Sequence, residues 1–326
     1  MEKLRPAERL EILVLVDNVT DTLSGVPAFV ARESANLRRA GMIRMSGAGM
    51  CCAIHGLSLV VTAHFAGAPS RTVLFDAGPW GGAVDHNGSR LGVPYASIEA
   101  VVLSHGHWDH AGGLERAAAL IHAARGEQVP CYLHPGMFQE RGQRQPDGGV
   151  FPMDFVPEPA RLAEAGFAPI VTDKPQHLAD GAFWVSGEIP RVSGYERGIP
   201  SQVTRAGPDA PWTPDPLVTD ERFLAANVAG KGLVVFSACS HAGIVNVLHH
   251  ARQSFPVERL HAVMGGFHLS GENEVIIPET VRDLGTFGLS LIIPAHCTGW
   301  RAVNALERAY GEAVVLPSAV GRTFTL

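Results

Sequence analysis

His105-Gly106-His107-Trp108-Asp109-His110-Ala111, directly after the apolar run Val101-Val102-Leu103, is the stretch from which the rest of the chain is read. Three imidazoles and one carboxylate are packed there at the end of a segment whose β-branched residues predict a buried strand. Neither a hydrophobic core nor a solvated face asks for that mixture. In extended or tightly looped backbone, residues i and i+2 point the same way. His105 and His107 can therefore grip one ion from one side, while Asp109 and His110, beyond the turn, suit a second. Imidazole nitrogen and carboxylate oxygen are ligands for zinc, iron or manganese, and without a thiolate cluster the set speaks against a closed structural zinc site. From Gly113 onward Leu114, Ala118, Ile121 and Ala124 recur at helical spacing, which places the cluster on a strand-to-helix loop.

The chain around it has the composition of an ordinary folded protein: 326 residues, 46% hydrophobic and 18% charged. Acidic residues outnumber basic ones, 32 to 26, and no Lys/Arg run appears, so the footprint of a nucleic-acid binder is missing. The five cysteines, Cys51, Cys52, Cys131, Cys239 and Cys297, show no disulfide framework and suit a reducing cytosol. Met1 to Arg9 mixes both charge signs, and the apolar run Ile12 to Val16 is too short for a signal-peptide core or a membrane span. The expectation is a cytoplasmic protein with a small-molecule substrate, no nucleic-acid or membrane partner, and an oligomeric state left open. One domain is expected over 1–326, with loop insertions around 142–159 and 206–216.

Short β-branched runs dominate the first part: Ile12 to Val16, Leu57 to Val61, Thr72 to Phe75 and Ala100 to Leu103. The second half alternates strand and helix: Leu233 to Phe236 then Ile244 to Arg252, His261 to Met264 then Ile277 to Leu284, Leu289 to Ile293 then Ala302 to Tyr310. A histidine follows each of these strands, His241, His268 and His296. In a layered α/β arrangement, loops at equivalent strand ends carry ligands, so the three can converge on one site. Between the halves, the Pro/Gly-rich stretches Gly142 to Pro159 and Ala206 to Pro216 hold Phe151, Phe155 and Trp212. They are too apolar for a linker and too broken for regular elements. Two readings stand side by side, a lid over the metal residues and a surface loop anchored by its aromatics.

Assembled, these residues resemble the metallo-β-lactamase superfamily over nearly the whole chain. Leu74-Phe75-Asp76-Ala77-Gly78 resembles its first motif, and Ser104 through Gly113 its signature. The resemblance implies a four-layer αββα sandwich, an α+β fold, with one or two metal ions at the edge of its two sheets and a metal-bound hydroxide as the usual attacking group. Asp17-Asn18, His55-Gly56-Leu57-Ser58, Ser186 through Arg191, Cys239 through Ile244, Gly265 through Leu269 and His296 through Gly299 resemble one branch. It is the group that includes the archaeal 7,8-dihydropterin-6-yl-methyl-4-(β-D-ribofuranosyl)aminobenzene 5′-phosphate synthase.

Carried onto this chain, the resemblance implies His105, His107 and His241 around a first ion and Asp109, His110 and His296 around a second. The ions are expected to be zinc, with Mg2+, Mn2+ or Fe2+ as alternatives. The chain departs from the pattern at the bridging position. Many superfamily hydrolases carry an aspartate at the fourth motif, whereas this chain offers Gly-Gly-Phe-His268. A neutral histidine cannot bridge two ions as a carboxylate does, so His268 either ligates one ion or contacts substrate phosphate. Asp76 is expected to orient a ligand from behind, and Asn18 and His55 to lie near the pocket. Cys239 and Cys297 are expected to pack behind the site, with a sulfur ligand as the alternative.

Two chemistries follow. In the first, Asp109 orients a metal-bound hydroxide and accepts its proton while a small ester or phosphoester is hydrolysed. In the second, implied by the branch, the ions hold a diphosphate leaving group that an arylamine displaces from a pterin methylene carbon. Arg191, Arg197 and Lys231 are then candidates to meet phosphate. A non-catalytic metal-dependent binder is the third possibility.

Overall fold

Each apolar run of the chain is long enough to be buried on both faces, and the molecule stacks them accordingly. The computed structural model describes residues 3–256 and 258–326; Met1 and Glu2, at the start of the mixed-charge segment, and Val257 lie outside them. Eight strands form the first sheet, in the order β2 (Val30–Ala31), β18 (Thr323–Thr325), β1 (Arg9–Val16), β3 (Ser58–Phe65), β4 (Ala68–Phe75), β5 (Ile98–Val102), β6 (Val129–Leu133) and β9 (Phe167–Val171). Six form the second: β10 (Gln176–Leu178), β11 (Phe183–Val185), β14 (Leu224–Val228), β15 (Gly232–Ser237), β16 (Leu260–Gly265) and β17 (Leu291–Pro294). The helices are α1 (Glu33–Arg39), α2 (Gly81–Leu91), α3 (Trp108–Ala111), α4 (Leu114–Arg125), α5 (Pro159–Ala165), α6 (Ile244–Ser254), α7 (Ile277–Leu284) and α8 (Trp300–Tyr310).

Alternation along β1 explains the layering. Leu10, Ile12 and Val14 point into a core between the two sheets, where they meet Phe183, Phe236 and Met264. Leu15 and Val16 are also buried but join a second core with Val84, Leu114 and Ile121 of α2 and α4. A third core sits between the second sheet and α6, α7 and α8, built from Val235, Val263, Leu248 and Leu306. Three apolar interfaces between four layers make an αββα sandwich, the architecture expected. No helix among the described residues is long and apolar enough to cross a membrane.

Parallel pairing sets where the site lies. β15, β16 and β17 run parallel, with Ser237 opposite Gly265 and Gly265 opposite Pro294, so their C-terminal ends stop at one level. β4 and β5 likewise end together, Phe75 opposite Val102. Gly265 makes that level possible: its φ is +137°, and a Cβ there would come within 1.8 Å of the Ser237 carbonyl oxygen. Gly113 does the same in the first half, where a Cβ would lie 2.1 Å from the Ala77 carbonyl oxygen.

The two Pro/Gly-rich stretches differ from expectation. Instead of irregular loops they contribute to a third sheet, ordered β13 (Thr213–Pro214), β12 (Gln202–Arg205), β7 (Glu140–Arg144) and β8 (Val150–Pro152). Trp212 packs 4.5 Å from the Arg205 guanidinium carbon, while Phe151 and Phe155 are exposed. Their short strands carry too few alternating apolar residues for a period to register in the sequence.

Candidate metal centre

Seven non-glycine residues among those described have positive φ, and four of them, Asp76, Ser240, His268 and His296, lie at the strand ends just described. Such backbone costs about 1–3 kcal/mol per residue and persists where surrounding structure holds it. Here it turns side chains toward one place. After β5, His107 is still extended while Asp109 and His110 already occupy the first turn of α3. That change of backbone separates the i, i+2 histidine pair from the two residues that follow.

Hydrogen bonds fix which nitrogen of each ring faces inward. Asp76 Oδ1 accepts from the Ser104 backbone N–H and Oδ2 from the Ser104 hydroxyl, both at 2.7 Å. With its only proton so committed, the Ser104 oxygen can only accept from His105 Nδ1, 2.8 Å away. His105 Nε2 is left with its lone pair, 3.0 Å from His107 Nδ1 and 3.0 Å from His241 Nε2. Asp76 Oδ2 also accepts from His110 Nδ1 at 2.7 Å, so His110 Nε2 faces the site. Asn18 performs the same service across the pocket. Its amide oxygen accepts from His296 Nδ1 at 2.9 Å, and its amide nitrogen donates to His55 Nδ1 at 3.2 Å. His296 Nε2 then stands 3.2 Å and His55 Nε2 3.3 Å from Asp109 Oδ2.

This arrangement fits bound cations. Burial holds His105 and His241 well below the ordinary imidazole range, and burial together with Arg141 brings His107 down to about 3. Uncharged ring nitrogens of His107 and His241 therefore each lie 3.0 Å from His105 Nε2, close to the roughly 3.3 Å expected between two nitrogens on one tetrahedral zinc. His296 Nε2 is buried, has no hydrogen-bond partner and stands 3.2 Å from the Asp109 carboxylate. Burial alone would push Asp109 up, but His110, His296 and His55 outweigh it and hold the carboxyl well below its usual range. His110 goes the other way: burial lowers it, Asp109 and Asp76 raise it, and the result is about 9.

Cys239 was expected to pack behind the site, with a sulfur ligand as the alternative. Its sulfur lies 3.1 Å from His110 Nε2 and within 4.8 Å of the ligand atoms of His105 and His241 on one side and of His110 and His296 on the other. His268 does not take that central place. Its ring packs against His241 at 4.6 Å between centroids, and its imidazole groups with the sulfurs of Cys239 and Cys297. Burial lowers the His268 pKa, but Cys297, Glu221 and Asp109 raise it above the ordinary value on balance.

A cavity of about 260 Å3 opens above these residues. Its walls include His55, Trp108 and Ser270, and from the third-sheet region Gln143, Met153, Ile199 and Gln202. Gln143 and Gln202 face each other across β7 and β12. Of the two Pro/Gly-rich stretches, the first reaches the cavity wall through Gln143 and Met153, and the second does not line it. Arg191 is not among the lining residues; its guanidinium donates to the Leu217 carbonyl. Lys231 is exposed at the opposite end of β15, and no Lys or Arg lines the cavity among the described residues.

Sequence reasoning missed the segment that joins the two halves of the site. Asp220, Glu221 and Arg222 are all buried. Asp220 accepts from the Gly106 N–H at 2.8 Å and pairs with Arg141, which also donates to the Gly106 carbonyl at 3.0 Å. The Arg222 N–H donates to the Ser104 carbonyl at 2.8 Å. Glu221 accepts from the N–H groups of His241 and Ala242, at 2.7 and 2.6 Å. Three consecutive charged residues ordinarily read as a solvated turn; the one signal available was their position directly before the apolar run Phe223–Val228.

Comparison with known proteins bears on the fold and the branch. The sequence model of the metallo-beta-lactamase superfamily matches residues 57–259, which include His105 to His241 and stop short of His268 and His296. The chain is 28% identical over 272 residues to the 7,8-dihydropterin-6-methyl-4-(β-D-ribofuranosyl)-aminobenzene-5′-phosphate synthase of Methanocaldococcus jannaschii, covering 79% of this chain and 85% of that protein. An uncharacterized protein of the same organism is 28% identical over 256 residues, 78% of this chain and 88% of its own length. Among solved structures, Tm1679, a metal-dependent hydrolase of the β-lactamase superfamily, superposes with a TM-score of 0.68 at 22% identity, over 97% of this chain and 98% of that one. The metallo-β-lactamase fold protein YhfI of Bacillus subtilis gives a TM-score of 0.51 at 13% identity, over 97% and 99%.

Proposed function

The chain belongs to the metallo-β-lactamase superfamily, and on that premise we propose that it is a divalent-metal-dependent enzyme that hydrolyses a small phosphoester or ester. The observation that carries the proposal is the convergence of the His105, His107, His241 and His296 ring nitrogens and the Asp109 carboxylate beside the cavity. His105, His107 and His241 hold a first ion, and Asp109, His110 and His296 a second. Imidazole with carboxylate suits zinc. Bound there, the ions supply Lewis acidity that makes a water easier to deprotonate and neutralises charge developing on the substrate.

The chain's own groups carry the proton. Asp109, acidic in character, orients the attacking water and accepts from it. His55, half in solvent and 3.3 Å from Asp109, holds that carboxylate in place from the rim of the cavity. His268, whose surroundings favour its protonated form, donates to a substrate oxygen from the opposite wall. Since no Lys or Arg lines the cavity among the described residues, the anionic group of the substrate faces the ions and His268. The amides of Gln143 and Gln202 meet the organic remainder. A cavity of about 260 Å3 lies at the small end of ligand sites, which favours one substrate and water over two organic reactants. The five free cysteines and acidic balance fit a single domain working in a reducing cytoplasm.

A second reading, transfer of a pterin methylene group to an arylamine with loss of diphosphate, is supported by the similarity to the synthase over 85% of its length. Metal-restored protein assayed on esters, thioesters, lactones and phosphodiesters, and separately on a dihydropterin diphosphate with an arylamine phosphate, distinguishes the two. Hydrolytic turnover abolished in His107→Ala supports the first; coupled product by mass spectrometry without hydrolysis replaces it with the second.

A further inference from the structure

We propose that Cys239 is a metal ligand shared by both ions, its thiolate standing where this chain lacks a bridging carboxylate; the proposal rests on the metal-dependent reading above. Four observations lead to it. The Cys239 sulfur lies within 4.8 Å of ligand atoms from both candidate groups, His105 with His241 and His110 with His296. It stands 3.1 Å from His110 Nε2, the nitrogen that the Asp76 contact leaves facing inward. The side chain is buried, so its sulfur is screened from the bulk and lines the same cavity as Asp109, His241 and His296. His296, which groups with that sulfur, has a buried Nε2 without a hydrogen-bond partner, which a packing role for the sulfur leaves unexplained.

The alternatives offered by neighbouring residues fit less well. Asp109 Oδ2 already meets His55 and His296 and lies 3.7 Å from His110 Nε2, on the outer side of the second group. His268, neutral or protonated, has no second lone pair on one nitrogen with which to bridge. A thiolate does, and sulfur ligands suit zinc and iron. Cys297 Sγ lies 3.4 Å from Cys239 Sγ and lines the same cavity. Gly266 permits that closeness, since a Cβ there would lie 2.5 Å from the Cys297 sulfur. Cys297 groups only with Cys239 and His268, whereas Cys239 also reaches both histidine groups. On metal binding the Cys239 S–H proton leaves to solvent, and the sulfur gains its bonds to the ions without any redox change.

Cobalt(II) reports on sulfur directly, because thiolate-to-cobalt charge transfer absorbs in the near ultraviolet while the visible bands report cobalt bound by any ligand. Metal-free full-length protein is titrated with cobalt(II), and elemental analysis counts the ions. The expected result is near-ultraviolet absorbance that grows with the first equivalent and again with the second. Cys239→Ser should lose that band and retain at most one equivalent, while Cys297→Ser keeps both band and stoichiometry. Visible cobalt bands without a near-ultraviolet band in the unmodified protein overturn the sulfur ligand and leave the metal-dependent reading standing. Saturation of the band at one equivalent overturns sharing, and loss of the band in Cys297→Ser but not in Cys239→Ser overturns the choice of residue. No cobalt absorption of either kind removes the metal reading itself. The wild-type titration needs no variant to fold.

Discussion

The loop after β5 and the ends of β15, β16 and β17 reach the same cavity by opposite routes. The loop supplies His105, His107, Asp109 and His110 from contiguous sequence, and the change from extended backbone to helix sets their directions locally. The three strand ends each supply one histidine, and His241 meets His105 across 136 positions. Their convergence depends on parallel register and on Asp220, Glu221 and Arg222, which hold the backbone of both regions. The contiguous set takes its directions from local backbone, and the buried charges of Asp220, Glu221 and Arg222 tie it to the strand end that carries His241.

Breaking the contiguous side should have the largest effect. His107→Ala is expected to lower turnover on the natural substrate by about 1000-fold or more, since a metal contributes several kcal/mol of transition-state stabilisation; kcat/KM with and without added metal checks this. Next comes the clamp. Asp220→Ala leaves buried Arg141 with only the longer 3.4 Å pairing to Asp215, a loss of up to about 3–5 kcal/mol, to be read from urea unfolding of the metal-free protein. Asp76→Asn weakens the hold on His105 and His110 without removing a ligand, and should reduce metal affinity ~10–100-fold by competition with a chelator.

A gentler lever is pH. His110 carries a proton up to about 9 in the metal-free protein, and an ion bound at Nε2 must displace it. Affinity for the second ion should therefore rise with pH toward 9, by up to roughly tenfold per unit. Calorimetry in buffers of different ionisation enthalpy should detect the released proton, and His110→Gln should abolish it along with that ion. The smallest effect is expected at the cavity wall, where Gln202→Ala should raise KM a few-fold with kcat nearly unchanged. An equal fall in kcat would move Gln202 from substrate recognition into the chemistry.

The sandwich and the placement of the cluster could be read from the chain because runs such as Val101 to Leu103 and Leu233 to Phe236 are continuous, β-branched and buried on both faces. α2 was hidden by its three glycines, Gly81, Gly82 and Gly88, which weaken helical preference. Strands of two or three residues, such as β8 and β13, are too short to show a period. Within the site, Asp76, Asn18 and His55 were expected near the ligands and lie there, but their partners were not foreseeable: which ring nitrogen Asn18 orients depends on contacts between residues far apart in sequence. The surroundings of Cys239 were hidden for the same reason, since a cysteine two residues before a histidine in an irregular loop has no fixed direction. Arg191 was selected for its charge, yet that charge is used against a backbone carbonyl.

The central claim is that the two regions share one two-ion centre. Equilibrium dialysis of His241→Ala against zinc, followed by elemental analysis, tests it most directly, because this substitution leaves the contiguous motif untouched. The account predicts two equivalents per chain in the unmodified protein and one in the variant. Two equivalents retained by a folded His241→Ala would contradict it.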